Sequence, residues 1–373
     1  MITKLSRTTL LWPAVALVAL LALNAFMTPQ FLSIRIQDGH LYGSVIDILR
    51  NGAPTLLVAL GMTLVIASRG IDLSVGAVVA ISGALACSHI AAADDPANVG
   101  TVCSAVGLAL VAAAALGLWN GTLVAVLGIQ PIIATLVLMT AGRGIALFVT
   151  EGQIITVTSP PFKVLGAGYV LGLPVAILVS LAVFVLIALL TRWTALGTLL
   201  EAVGINPEAS RLAGVRSRTI VFAVYVFCGL CAGIAGLMIA SNISAADANN
   251  AGLWIEMDAI LAVVIGGTSL LGGRYSLTGT VIGALIIQTL TTTVYTVGIR
   301  PEITLVFKSL VVISVVLLQS AKFRALVRGG RARRSPSGRP VRTPEPLTGT
   351  LASSPPTTAQ TTLEDADTKV HQR

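Results

Sequence analysis

Long apolar runs separated by short polar stretches dominate this chain. A helix that crosses a lipid bilayer needs about 20 mostly apolar residues. Ten candidate spans follow from the pattern, near residues 11–28, 54–68, 74–92, 102–128, 131–149, 171–190, 219–241, 258–272, 278–297 and 303–319. Several are shorter than 20 residues, which indicates that some are broken or only partly inserted. The pattern therefore predicts an all-α polytopic membrane protein with about ten transmembrane helices.

The composition supports a lipid-embedded class. Of the 373 residues, 55% are hydrophobic and 11% are charged, whereas soluble domains carry about 25% charged residues. Cys228 and Cys231 form a CGLC sequence inside a predicted span, where cysteine is typical of a small hydrophobic residue and not of a redox pair. The histidines show no ligand spacing, so we predict no metal site.

The distribution of Lys and Arg predicts that both chain ends face the cytoplasm. With that orientation, the loops before residue 320 place most cations inside: Lys4, Arg7, Arg69, Arg192, Arg211, Arg216, Arg218 and Arg274. The outside receives Arg35, Arg50, Lys163 and Arg300. The first span resembles a retained signal-anchor helix, and residues 41–52 are predicted to form a separate interfacial helix.

The sequence predicts two domains. Residues 1–320 form the transmembrane domain. Residues 321–373 start with a basic stretch and continue rich in Ser, Thr and Pro, a composition that cannot bury a core. We predict a disordered cytoplasmic tail whose basic start lies against anionic membrane lipid; the net positive charge therefore does not indicate nucleic-acid binding.

Small and polar residues inside the spans predict how the helices pack. Glycine pairs four residues apart allow close helix approach: Gly117 and Gly121, Gly229 and Gly233, Gly279 and Gly283. Four polar residues would be costly against lipid, so we expect them to face the interior, a water-filled path or a partner: Asn120, Gln130, Arg143 and Gln288. Interhelical hydrogen bonding is favoured for Asn120 and Gln288. For Arg143, a pathway role and a tie to backbone carbonyls are equally supported.

The stretch "SRGIDLSVGA", residues 68–77, interrupts two apolar runs. Gly70 is suited to a sharp reversal. Asp72 or Ser74 can accept hydrogen bonds from the first free amides of the next helix. We predict a tight turn followed by a helix start at the cytoplasmic edge.

Nucleotide-binding and hydrolytic motifs are missing from the sequence. It contains no GxxxxGK[ST] loop, GxSxG elbow or HExxH pair, and no line of acidic residues runs through the spans. We therefore expect a transport conduit that is not an enzyme and that is driven by another molecule. Residues 191–218, the one sizeable inner loop, are the predicted attachment point. Pro207 with Asn206 as cap begins a short helix and Gly214 ends it; the alternative is a plain connector.

The outer loop 242–258 carries candidate solute contacts. Asp247, Asn249 and Asn250 can bond hydroxyl groups, and Trp254 can stack on the flat face of a solute. This loop is predicted to line the pathway or to receive a protein that delivers the solute. The alternative is that Asp258 caps the next helix and the rest is a turn.

Three stretches carry a family likeness: "GMTLVIASRGIDLSVGAVVAISGA", "GINPEASRLAGV" and "AVVIGGTSLLGGRYSLTGTVIGALI". They resemble the permease subunits of ribose-type ABC sugar importers over roughly residues 37–320. Within that family, "QDGHLYGSVIDIL" and "ADANNAGLWIEMDAILAVVIGG" are most similar to permeases of galactofuranose importers. Arg69 departs from the likeness, because the family usually has a glycine there.

The resemblance implies a non-catalytic permease of the bacterial inner membrane that forms the path for a monosaccharide. Its implied partners are a second permease, identical or related, cytoplasmic ATPase subunits that bind ATP and Mg, and an extracytoplasmic sugar-binding protein. The loop helix would be the segment that couples to the ATPase, with these candidate residues: Glu201, Asn206, Glu208, Arg211 and Gly214. Two rivals remain open, an ion-coupled secondary transporter of a small polar solute and a structural membrane subunit that carries nothing.

Overall fold

The computed structural model describes residues 2–28, 30–37 and 39–298, with scattered helical positions between 303 and 317. The described chain contains the following helices in order: α1 (Ile2–Met27), α2 (Ser44–Ala67), α3 (Val75–Ala91), α4 (Val99–Gly121), α5 (Pro131–Val149), α6 (Pro160–Ala167), α7 (Val175–Trp193), α8 (Leu196–Ile205), α9 (Pro207–Leu212), α10 (Ser217–Ile243), α11 (Ile255–Ile265) and α12 (Leu277–Val297). A π-helical turn, Thr122–Val126, extends α4. The predicted tail, residues 321–373, lies outside the described residues.

Within the described residues, six short strands form three antiparallel pairs. They are β1 (Arg35–Gln37) with β2 (His40–Tyr42), β3 (Ile155–Thr156) with β6 (Ala245–Ala246), and β4 (Tyr169–Val170) with β5 (Leu173–Pro174). Each pair has too few residues to be stable without the helices beneath it.

Seven helices in the described chain are long and apolar enough to cross a membrane, which confirms a polytopic helical protein. Their spans are Leu10–Met27, Ser44–Ala67, Val99–Val126, Pro131–Val149, Val175–Trp193, Ser217–Ile243 and Leu277–Thr296. Helix α3 has 17 residues, the lower limit of a full span, whereas α11 has only 11 and is too short to cross a membrane alone. The count of ten spans and the orientation remain predictions.

Two predicted boundaries were wrong. Residues 41–52 do not form a separate interfacial helix, because the backbone continues from Ser44 to Ala67 as one helix through Pro54. The predicted span 258–272 is shorter and begins earlier, at Ile255. It ends at Ile265 because Gly266 and Gly267 follow, and Gly267 adopts a φ of 86°, which continues no right-handed helix.

Helix α10 lies at the centre of the bundle and packs against α2, α3 and α4. Its glycines allow these close approaches. A Cβ on Gly236 would lie 2.3 Å from the Val79 carbonyl oxygen, and one on Gly229 would lie 2.7 Å from that of Ala113. The predicted glycine pairs therefore lie in helix contacts, as lipid-embedded packing requires.

One end of the bundle carries the strand pairs and the loop 92–98. The amide of Leu41 donates to the Gly172 carbonyl at 3.0 Å, which joins two of the pairs, and Ile90 packs in one cluster with Phe162 and Ala246. Burial raises the pKa of the Tyr169 phenol on this end above its ordinary value. We call this end the hairpin face.

The opposite end is formed where α2 and α11 finish and where α8 and α9 lie. There the Gly273 amide donates to the Ala67 carbonyl at 2.9 Å, and a Cβ on Gly204 would collide with that same carbonyl. We call this end the basic face, because it holds the arginines of the predicted inner loops: Arg69, Arg192, Arg211, Arg216, Arg218 and Arg274.

Gly229→Ala is expected to lower the thermal stability of the purified protein in detergent. The new methyl group would force α10 away from Ala113 and Gly117 of α4, whose atoms lie at 2.7 and 3.0 Å from its position. Gly107→Ala is the control, because this glycine of α4 has nothing within 4 Å of a built Cβ. A thermal unfolding curve shifted equally by both variants would contradict the role of close packing.

Candidate functional site

The first break between helices is the turn from Ser68 to Ser74, and its geometry corrects one prediction. The positive φ falls on Arg69, at 69°, and not on Gly70. Gly70 is needed for space, because a Cβ there would lie 2.5 Å from the Tyr225 hydroxyl. The Arg69 Nε donates to the Leu271 carbonyl at 3.1 Å, so the turn is tied to the loop after α11.

Asp72 and Ser74 form a buried polar cluster with Asn120 of α4. The Asp72 Oδ1 accepts from the Ser74 amide at 3.0 Å and from the Ser74 hydroxyl at 2.6 Å. The Asn120 Nδ2 donates to the Ser74 Oγ at 2.8 Å and lies 3.4 Å from Asp72. The predicted interhelical bond of Asn120 is therefore present, and Asp72 receives the amide at the start of α3.

The second break is the segment 245–254, which connects α10 to α11. We call it the descending segment. The Asp247 Oδ1 accepts from the amides of Asn249 and Asn250 at 3.0 and 3.2 Å, and its Oδ2 accepts from the Asn250 side chain at 2.7 Å. Asp247 thus organises a turn that leaves both asparagines exposed. Trp254 precedes α11 with a φ of 65°.

Asp258 does not cap α11, so the alternative interpretation of the loop 242–258 is wrong on this point. It is the fourth residue of that helix, and its Oδ2 accepts from the Lys308 Nζ at 2.8 Å. The pair is mostly buried. The residue that precedes the helix is Trp254, whose side chain donates and accepts no capping bond.

Arg143 of α5 holds the descending segment. Its Nη1 donates to the carbonyls of Ala248 at 3.0 Å and Ala251 at 2.7 Å. This is the tie to backbone carbonyls that the sequence allowed, although it joins a helix to a non-helical segment and not two helices.

The two breaks come together at a pair of glycines. A Cβ on Gly76, in the first turn of α3, would lie 2.6 Å from the Gly252 carbonyl and 2.4 Å from Oε2 of the buried Glu256. A Cβ on Gly252 would in turn lie 2.6 Å from the Gly76 carbonyl. Sequence reasoning missed Gly76, Gly252 and Glu256, since only the fold brings residues 180 positions apart into contact.

The inner loop forms the helices α8 and α9 on the basic face. The Asn206 Oδ1 accepts from the amides of Glu208 and Ala209 at 3.1 and 3.0 Å, and so caps α9 as predicted. Arg211 pairs with Glu208 at 3.0 Å on an exposed surface. Gly214 follows α9 with a φ of 86°, which confirms the predicted helix end.

The remaining predicted positions do not join a common site. Glu201 is half-buried on α8, and Gln130 is exposed at the start of α5. Gln288 of α12 packs its aliphatic carbons 3.2 Å from a Cβ built on Gly52, and its amide has no hydrogen-bond partner among the described residues. A single sequence cannot show which helix face each of these residues occupies.

Comparison with known proteins places this architecture in a family. The sequence profile of the branched-chain amino acid transport system permease component matches residues 44–316. The chain belongs to this permease family. No solved structure matches it.

Several permease proteins are similar to the chain over most of its length. It is 50% identical to the galactofuranose transporter permease protein YtfT of Escherichia coli K12 over 327 residues, 86% of this chain and 94% of the relative. It is 39% identical to the fructose import permease protein FruF of Bifidobacterium longum, over 90% of this chain and 94% of the relative. It is 36% identical to the ribose import permease protein RbsC of E. coli K12, over 83% and 92%.

Asn120→Ala is expected to destabilise the permease. The substitution removes the donor that satisfies the buried Ser74 and Asp72 oxygens, a loss that costs about 1–3 kcal/mol. Thermal unfolding in detergent measures it, with Gln130→Ala as the control because that amide is exposed. Unfolding temperatures that match the wild type for both variants would show that the cluster does not brace the turn.

Proposed function

We propose that this protein is the permease subunit of an ATP-driven importer and forms the translocation path for galactofuranose or a related monosaccharide. The observation that carries the proposal is the 50% identity to the galactofuranose permease across 86% of the chain. The relatives named for fructose and ribose import support the same substrate class. No relative named here supports the ion-coupled alternative.

The proposed assembly supplies the nucleotide binding and hydrolysis for which the sequence contains no motif. Two ATPase subunits bind ATP and Mg and contact the basic face; a second permease, identical or related, completes the path, and a sugar-binding protein approaches the hairpin face. In this arrangement the basic face is cytoplasmic, the chain crosses the bacterial inner membrane ten times, and both ends are inside. Residues 1–320 are the transmembrane domain, and residues 321–373 form the cytoplasmic tail.

The helices α8 and α9 are the proposed coupling element. Helix α9 exposes Glu208 and Arg211 to a partner, while Gly204 of α8 lies against Ala67 and Gly273. A movement of α9 therefore reaches the end of α2 and the loop after α11 through direct backbone contacts. The turn that follows Ala67 contains Asp72, and it therefore connects the end of α2 to the buried polar cluster.

Uptake into proteoliposomes tests the proposed function. The permease, its ATPase and its binding protein are reconstituted, and labelled galactofuranose is offered with ATP inside. Accumulation that requires both ATP and the binding protein is expected. Accumulation that follows a proton or sodium gradient without ATP would overturn the proposal, and absent flux with every tested monosaccharide would favour a structural subunit.

Glu208→Ala and Arg211→Ala are each expected to reduce uptake strongly while leaving thermal stability unchanged. Their mutual ion pair is exposed and contributes less than about 1 kcal/mol to folding, so any loss of transport reports a contact with the ATPase. The reversed pair Glu208→Arg with Arg211→Glu keeps the internal attraction but inverts the surface presented to the partner. ATPase activity without uptake is expected for all three.

Glu151→Ala is the control for coupling: this exposed carboxylate lies after α5 near the hairpin face, so the amount of sugar imported per ATP hydrolysed is expected to stay unchanged even if docking of the binding protein weakens. Normal coupling of uptake to ATP hydrolysis in Glu208→Ala, Arg211→Ala and the reversed pair would show that α9 is a plain connector.

A further inference from the structure

The descending segment runs from the hairpin face to the middle of the bundle. At its start, Ala246 pairs with Ile155 among the strands. Near its end, Gly252 contacts Gly76, the second residue of α3. Since α3 rises about 1.5 Å per residue and ends at Ala91 on the hairpin face, Gly252 lies about 22 Å below that end. The hydrocarbon core of a bilayer is about 30 Å thick.

Helix α11 begins at this depth and completes the crossing. Its 11 residues extend for about 16 Å, too short to cross the membrane without the descending segment. One span of the permease is therefore half non-helical. The predicted outer loop 242–258 therefore extends, for much of its length, below the hairpin face and into the helical bundle.

One side of this broken span is uncovered. Asn249 and Asn250 are exposed, and so are Leu253, Trp254 and Met257; half of the Trp254 side-chain surface is accessible. The opposite side is buried against α3 and held by Arg143. Non-helical backbone at this depth is not found against lipid; it is either covered by protein or lines a water-filled cavity.

The polar groups decide between these two environments. A dry contact with another subunit would leave the Asn249 side-chain amide and the side-chain oxygen of Asn250 without partners, which costs about 1–3 kcal/mol for each group. Water, or a solute rich in hydroxyl groups, satisfies both. Trp254 adds a flat apolar face beside them, and its left-handed backbone shows that the surrounding structure holds it in place at some cost.

We propose that the face formed by residues 249–257 lines a water-filled sugar pathway in the middle of the membrane, where Trp254 stacks on the sugar ring and Asn249 and Asn250 bind its hydroxyls. This rests on the proposed function as a sugar permease. Arg143 is a positioning residue, since it fixes the segment through the Ala248 and Ala251 carbonyls without facing the pathway. A second permease copy closes the pathway from the other side.

Cysteine accessibility tests the water-filled pathway independently of the substrate. Trp254→Cys is placed in a Cys103→Ser background, because Cys103 is the exposed native thiol and the other three are buried. The full importer in proteoliposomes is treated with a membrane-impermeant, charged methanethiosulfonate. Labelling of Trp254→Cys at least about 10-fold faster than Val185→Cys is expected, because Val185 is an exposed apolar position midway along the continuous apolar helix α7, which we expect to face lipid.

A hydrophobic maleimide distinguishes the other environments. Labelling of Trp254→Cys by the maleimide alone would place the residue against lipid, and labelling by neither reagent would place it in a dry subunit contact. Either result overturns the water-filled pathway, whatever the transported solute is.

The sugar contact has its own readout. Galactofuranose delivered by the binding protein should slow labelling of Asn250→Cys. Trp254→Leu should raise the KM for uptake about 10-fold, equivalent to about 1.4 kcal/mol, while Trp254→Phe restores most of it because the aromatic face remains. Rapid labelling that sugar does not slow, in a complex that imports the sugar, would leave the aqueous pathway intact and overturn the sugar contact. Failure of uptake in the wild type would instead count against the proposed function.

Discussion

Lipid cannot hydrogen-bond to the backbone, and this constraint governs every feature of the permease that is not a continuous helix. The chain leaves helical geometry twice within the bundle, at the turn 68–74 and at the descending segment. Each break is braced by one polar side chain from a neighbouring helix, Asn120 on α4 and Arg143 on α5. Two of the predicted pathway candidates, Asn120 and Arg143, are therefore supports of the breaks.

The glycines make the bracing possible. Asn120 reaches Ser74 only because α4 lies so close to α10 that a Cβ on Gly117 would meet the Tyr225 carbonyl at 2.7 Å. In water, apolar burial would pull such helices together; in lipid that drive is absent, and close contact with its dispersion energy replaces it. Tight packing also limits the alternatives: a rocking motion must occur between groups of helices and not within these contacts.

Much of the fold could be predicted from the sequence, because long apolar runs determine spans and Asn206, Pro207 and Gly214 define a short helix locally. The two breaks, at the turn 68–74 and at the descending segment, could not be predicted. Residues 242–258 read as an outer loop since their polar groups suit water, and hydropathy cannot distinguish a loop outside the membrane from one that enters it. We predicted the reversal at Gly70, but Arg69 adopts the left-handed backbone conformation. The family resemblance led us to expect a glycine at the position of Arg69.

The two breaks meet because two sets of three helices, α2 to α4 and α10 to α12, pack in corresponding ways. Helix α10 contacts α4 and α3 as α2 contacts α12 and α11, and α3 contacts α4 as α11 contacts α12. GIQP at 128–131 follows α4, and GIRP at 298–301 follows α12. Helix α2 runs antiparallel to α10, because Arg50 and Asn242 line one cavity while Leu64 and Val224 line another. Corresponding helices in opposite directions bring one break in from each face, so that α3 and α11 begin side by side inside the bundle.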